Sequence, residues 1–222
     1  MVAGHAGEII LKIVFRCDAS IQMGTGHVMR CLTLADALAE QGAECHFICR
    51  EHSGHLLDMV RQRGHLGYGL SLENELHLDD KREPKLAHAN WLGSTQQHDA
   101  ELCSQILKTV QPDWLVVDHY ALDILWENQL RPYCKKLMVI DDLADRQHDC
   151  DILLDQTFGR DSKDYLQWTS ADCQLLCGSC YALLRPEFAQ WREYSLKRRE
   201  SGQLQHVLVN LGGVDKDNLT TQ

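Results

Sequence analysis

Ile9-Ile10-Leu11-Lys12-Ile13-Val14-Phe15 runs into Arg16-Cys17-Asp18-Ala19-Ser20-Ile21-Gln22-Met23-Gly24-Thr25-Gly26-His27-Val28-Met29-Arg30, and this passage decides the fold. Its first seven residues form a nearly continuous apolar run, the pattern of a parallel strand covered on both faces. From His27 to Gln41, Val28, Cys31, Leu32, Ala35 and Leu38 recur at helical spacing, and Gly42 supplies a stop. The passage therefore reads as strand, glycine turn and amphipathic helix. Glycines at the carboxyl end of a parallel strand let a ligand approach the backbone, and the free N–H groups of the following helix attract anions.

The alternation continues outward. Glu44 to Cys49, Trp114 to Val117 and Leu137 to Ile140 read as strands, and His55 to Arg63, Gln97 to Val110 and Ile124 to Leu130 as helices. Asp151 to Leu154 and Gln174 to Cys177 add two short strands, and a helix follows from Pro186 to about Arg199. Strands alternating with helices predict an α/β fold with a Rossmann-like, doubly wound parallel sheet. Glu73 to Asn90 is polar, contains Pro84 and lacks a period, which predicts a loop bordering a cleft. The pattern predicts a first lobe over residues 1–197, a polar linker over 198–205, and the start of a second, truncated lobe over 206–222. That last part reads as a strand from His206 to Leu211 running into Gly212-Gly213, with a helix start near Asp217.

At 222 residues and 44% hydrophobic content the chain can bury a substantial core. Its 22 basic and 32 acidic residues leave a net charge of -10, which disfavours nonspecific attraction to nucleic acid or anionic lipid. A phosphate-bearing ligand then needs a local site. No apolar run approaches a membrane span, and Met1 to Glu8 lacks the basic start and apolar centre of a signal peptide. These features predict a soluble, cytoplasmic protein with no membrane or nucleic-acid partner. The 10 cysteines follow no disulfide framework and read as reduced, small apolar core residues.

Chemistry concentrates at strand ends. In the first loop, His27 supplies an imidazole able to exchange protons near neutral pH, and Arg30, one turn later on the same face, a cation for negative charge. The alternative is an ordinary glycine turn with a capping histidine. In Val116-Val117-Asp118-His119-Tyr120, Asp118 and Tyr120 either face the same cleft or serve as a turn cap and a lid on the core. Asp141-Asp142 resembles a metal-binding pair, yet no neighbouring pattern completes a ligand set, so no metal and no cofactor are expected. Cys173-x3-Cys177-x2-Cys180 has a spacing known from cluster-binding enzymes, but its late, apolar setting predicts core thiols. His52 and His55 fit either metal ligands or an exposed helix start.

Taken together, these segments resemble the UDP-sugar hydrolases of bacterial pseudaminic acid biosynthesis. The likeness rests on Arg16 to Ser20, Gly24 to Ala35, Trp91-Leu92-Gly93 before Asp99-Ala100, and Val117 to Tyr120. It continues through Ile140 to Ala144, Leu154-Asp155-Gln156, Tyr181 to Phe188 and Leu211-Gly212-Gly213. The resemblance implies a GT-B arrangement of two Rossmann-like lobes, with UDP held mainly by the second, and hydrolysis of UDP-2,4-diacetamido-2,4,6-trideoxy-β-L-altropyranose to UDP and the free sugar. That sugar would feed a nonulosonic acid for flagellar or other surface glycans. It makes His27 the expected base. Tyr120 and Asp118 are expected at the sugar, Asp18 as a partner for His27 or a hydroxyl, and Arg30 as a loop brace or phosphate contact. Gly24, Gly26, Gly212 and Gly213 are expected to bring backbone near the nucleotide sugar. A GT-B glycosyltransferase or a noncatalytic nucleotide-sugar-binding module would use the same loops.

Overall fold

A computed structural model describes residues 10–72, 86–200, 202–204, 206–209 and 218–221. Its strands are β1 (Lys12–Cys17), β2 (Glu44–Arg50), β3 (Leu66–Leu70), β4 (Trp114–Asp118), β5 (Lys136–Ile140), β6 (Ile152–Asp155) and β7 (Gln174–Cys177). All pair in parallel, in the order β3-β2-β1-β4-β5-β6-β7. The helices are α1 (Gly26–Glu40), α2 (Leu57–Gln62), α3 (Gln96–Val110), α4 (Ile124–Leu130) and α5 (Pro186–Arg198).

The alternation of side chains along each strand divides the core in two. Ile13, Phe15 and Cys17 of β1 pack with Val28, Cys31, Leu32 and Ala35 of α1 and with Leu57 and Val60 of α2. Val14, Leu115, Val117, Leu137 and Val139 face the other way, onto Cys103 and Leu107 of α3 and Trp126 and Leu130 of α4. Phe15 stacks on its register partner Phe47 with ring centroids 4.8 Å apart. Helices on both faces of a parallel sheet make this a doubly wound, Rossmann-like α/β fold, as the alternation predicts.

The connection from β1 to β2 runs over one face and the connection from β3 to β4 over the other. The strand order therefore reverses between β1 and β4, and the carboxyl ends of these two strands mark the position where open α/β sheets take ligands. Asp18, Gly24, Gly26, His27, Arg30, Asp118 and Tyr120 lie on a strand end, loops or a helix start at that edge.

Two differences from the sequence reading have physical reasons. β3 escapes pattern recognition because Gly67 and Gly69 occupy alternate positions of Leu66-Gly67-Tyr68-Gly69-Leu70. A Cβ on Gly67 would stand 3.2 Å from Leu57 Cδ2, so glycine lets α2 pack closely on this edge strand. Among the described residues no strand forms over 206–209, where Val207, Leu208 and Val209 are exposed. The rest of that expected strand and Gly212-Gly213 lie outside the described residues. So does most of the expected loop from Glu73. No helix among the described residues is long and apolar enough to cross a membrane.

Candidate active site

Register brings the first two parts of the site together. Cys17 at the end of β1 pairs with Asp118 at the end of β4, so the loop after β1 and the carboxylate ending β4 share one edge of the sheet. The loop is tied down locally. Ser20 and Gly24 exchange backbone hydrogen bonds, the Ser20 hydroxyl accepts the N–H groups of Gln22 and Met23, and the Ile21 N–H donates to the Ser53 carbonyl. Gly24 takes φ +80°, a left-handed conformation that glycine adopts without strain. Open space faces both Gly24 and Gly26, where an added Cβ would meet nothing within 4 Å. The Thr25 side chain makes no capping bond and no acidic residue occupies the first turn of α1. Its first-turn amides thus remain a local positive end in a chain of net charge -10.

On that first turn, His27 turns its Nδ1 to Asp118 Oδ1 at 2.6 Å. Arg30 takes the same carboxylate with two nitrogens, Nε to Oδ2 at 2.5 Å and Nη2 to Oδ1 at 2.6 Å. Burial alone would raise the pKa of Asp118, but His27 and Arg30 outweigh it and hold the group well below the ordinary carboxylate range. An ionised Asp118 accepts the Nδ1–H of His27, which leaves the neutral ring's lone pair on Nε2. No hydrogen bond among the described residues engages that atom. The arrangement is a carboxylate–imidazole pair with its free nitrogen available to a ligand or water.

Arg30 also reaches Asp142 Oδ2 at 2.9 Å, and Asp142 Oδ1 accepts the Tyr120 hydroxyl at 2.5 Å. Burial, with this bond to a carboxylate, raises the Tyr120 pKa and keeps the phenol protonated. The Tyr120 ring meets that of His27 edge-on, centroids 4.6 Å apart and planes 82° apart. His27, Arg30, Asp118 and Tyr120 therefore converge. Arg30 bridges two carboxylates, Asp118 and Asp142. Asp142, read from sequence only as half of an acidic pair, joins the cluster. Its neighbour Asp141 points elsewhere, accepting the Tyr165 hydroxyl at 2.9 Å, so the pair does not converge on a common ion.

Asp18 stands apart from this group. Its Oδ1 accepts Arg16 Nη1 and the Arg50 backbone N–H, both at 2.6 Å, and the residue is fully buried. Arg16 also forms a fork with Asp99 of α3, at 3.1 and 2.7 Å, and Arg50 donates to Asp99 at 2.7 Å. The partner expected for His27 is thus Asp118 in place of Asp18, because arginine draws Asp18 into a closed network. Asp99 enters the sequence reading only within the resemblance, and its role is not legible there because its partners lie 83 and 49 positions away.

Further rings border the site. His88 and Trp91 are half-buried on the short turn before α3, with centroids 4.4 Å apart. Trp91 lies 5.8 Å from Tyr120 and 6.4 Å from His27. Leu92 anchors this turn in the core, and Gly93, at φ +65°, sits where a Cβ would come within 2.9 Å of His52 Cε1.

The other motifs resolve separately. His52 Nε2 lies 3.8 Å from Asp18, whereas His55 accepts the Leu57 N–H, so these histidines serve different partners. Cys173 and Cys177 are half-buried and pack against the core, as their reading as core thiols has it, whereas Cys180 is exposed beyond β7, the sheet's last strand, which corrects that reading for Cys180. Six other cysteines, among them Cys17, Cys31 and Cys103, are buried. Among the described residues no three histidine, cysteine or acidic side chains gather as a metal-holding group.

Comparison with known proteins follows the same lines. No protein-family profile matches the chain. The chain is similar to a UDP-sugar hydrolase. It is 27% identical over 213 residues to UDP-2,4-diacetamido-2,4,6-trideoxy-beta-L-altropyranose hydrolase of Campylobacter jejuni, a match covering 96% of this chain and 64% of that protein. It is 22% identical over 212 residues to an uncharacterised protein of Methanocaldococcus jannaschii, covering 95% of this chain and 38% of the relative. The chain thus spans less than two thirds of either relative's length.

Proposed function

We propose that the protein processes a nucleotide sugar and, more closely, hydrolyses a UDP-linked 2,4-diacetamido-2,4,6-trideoxyhexose to UDP and the free sugar. The observation that carries this reading is the His27–Asp118 pair at the carboxyl ends of β1 and β4, beside the unfilled first turn of α1. Its chemistry suits such a substrate. An anomeric diphosphate is already a good leaving group, so one base and donors for the departing charge suffice.

In the proposed step His27 Nε2 removes a proton from water as its oxygen bonds to the anomeric carbon. The bond from that carbon to the diphosphate oxygen breaks, and its electrons leave with UDP. Asp118 fixes the tautomer and stabilises the imidazolium that forms. Arg30 and Asp142 hold Asp118 and Tyr120 in place, and Tyr120 borders the sugar. The amides of Gly24 and Gly26 are the nearest backbone to the diphosphate in this scheme, and Gly212-Gly213 would belong to a second, UDP-binding lobe. The resemblance to the hydrolase supports a nucleotide-sugar substrate, and in this reading the free sugar feeds nonulosonic acid synthesis in the cytoplasm.

The full-length protein, given the UDP-trideoxy sugar and no acceptor, is expected to release UDP. Release that requires an acceptor would instead indicate a glycosyltransferase, and binding without turnover a binding module. His27→Ala is expected to slow release by about 10²–10⁴-fold. Ordinary turnover by that variant would remove His27 from the chemistry.

A further inference from the structure

We propose that Trp91, supported by His88, forms a specificity wall that selects sugars with an apolar, deoxygenated face; this rests on the proposed hydrolysis of a nucleotide sugar. The site has two unlike sides. One is charged: Asp118, Arg30 and Asp142, with the Asp142 side chain 24% exposed. The other is aromatic, made by His88, Trp91 and Tyr120, whose centroids lie 4.4 to 5.8 Å apart. The two sides meet at His27, which presents its ring at steep angles to both Tyr120 (82°) and Trp91 (73°). An aromatic surface beside a polar floor suits a ligand with one C–H face and one hydrogen-bonding edge.

Proximity to His27 decides which part of a nucleotide sugar meets the wall. The atom attacked lies next to His27 Nε2, so the group within reach is the sugar ring. The uracil is removed from that carbon by two phosphates and a ribose, and the diphosphate is too strongly hydrated to rest on aromatic carbon. A hydroxyl pressed against these rings would lose water without gaining a partner, whereas a methyl or methylene would bury apolar area. The wall therefore favours a 6-deoxy sugar over its 6-hydroxy counterpart.

Trp91 is also held firmly enough to discriminate. Its backbone N–H donates to the His88 carbonyl at 2.9 Å, Leu92 next to it is buried, and Gly93 lets the turn close against Arg50 and His52. Thr95 then caps α3 by accepting the His98 N–H at 3.2 Å. The residue is a specificity determinant and takes no part in proton transfer.

The test compares wild type, Trp91→Ala and Trp91→Phe in the full-length protein, with the UDP-trideoxy sugar and with UDP-N-acetylglucosamine, which keeps its 6-hydroxyl. Wild type is expected to prefer the deoxy sugar, and Trp91→Ala to lose roughly tenfold of that preference, mainly through KM, as removal of apolar pocket surface does. Trp91→Phe should restore most of it. Unchanged selectivity in Trp91→Ala, or equal falls on both substrates with lowered thermal stability, would overturn the wall. If wild type releases no UDP, the hydrolytic reading fails. The wall is then judged by calorimetric binding of the same two compounds, where an equal affinity ratio in wild type and Trp91→Ala would overturn it.

Discussion

Asp18 and Asp118 stand one residue apart in register at the ends of neighbouring strands, both fully buried and both gripped by arginine, yet their surroundings differ in kind. Around Asp18, Arg16, Arg50 and Asp99 close a network whose charged members are all fully buried. Around Asp118, Arg30 and His27 share the carboxylate, and the far nitrogen of His27 stays uncommitted among the described residues. Opposite charge depresses both carboxylates against the cost of burial. A depressed pKa therefore does not separate a structural cluster from a chemical one. What separates them is where the uncommitted atoms lie: those around Asp18, namely Asp18 Oδ2, Arg50 Nε and the Nε2 atoms of His52 and His119, are buried, whereas the Asp118 network ends in His27 on the first turn of α1, at the carboxyl edge of the sheet.

The largest effect that would sharpen this contrast is on the structural side. Asp99 accepts Arg16, Arg50 and the Trp126 indole N–H, so Asp99→Ala takes a shared carboxylate from two buried guanidinium groups. It is expected to lower stability by about 3–5 kcal/mol. Molecules that remain folded should keep near-normal turnover, read as activity per folded protein from a chemical-denaturation series run beside the UDP-release assay. A soluble, normally stable Asp99→Ala protein would break the comparison.

Asp118→Asn probes the other side. Asparagine keeps the shape but loses the charge that fixes Nδ1–H on His27, so the ring can present the wrong nitrogen. Release of UDP is expected to fall about 10²-fold or more, with a smaller loss of stability than Asp99→Ala because Arg30 retains Asp142. A change in KM alone, with kcat intact, would mean that Asp118 serves binding and not proton transfer.

These two variants also mark where sequence reading succeeds and stops. The strand runs and the helix from His27 were legible because burial on both faces, or on one stripe, leaves a period in the sequence. The glycine loop and its histidine were legible for the same reason, being adjacent to a strong strand. The pairing of His27 with Asp118 spans 91 positions, and that of Arg16 with Asp99 spans 83, so no local pattern encodes either. Sheet register and the reversal of strand order create both contacts. Asp18, which the resemblance offers as a partner for His27 or for a hydroxyl, is drawn instead to Arg16 and the Arg50 backbone. The acidic pair Asp141-Asp142 shows the same limit: neighbouring residues diverge to different networks once the strand ends.

Acid should separate the two regions more gently, and its sign follows from burial. His119 and His52 lie beside Asp18, and burial lowers the pKa of each despite that carboxylate, with Arg16 adding repulsion. A histidine held below its unfolded value of 6.5 favours the folded state while neutral, so this contribution is present above pH 6.5 and declines as pH falls below it. Asp18, Asp99 and Asp118 are depressed below the ordinary 3.8, so their contribution is present above that value and lost only as pH falls through and beneath it. Thermal melting followed from pH 8 to pH 3 is therefore expected to show a shallow decline beginning near pH 6.5 and a steeper one near pH 4. His119→Gln, which removes the titrating ring but keeps a polar side chain, should flatten the shallow limb and leave the steep one. If the shallow limb persists in a variant lacking both His119 and His52, the Asp18 side of the comparison is not what responds to mild acid.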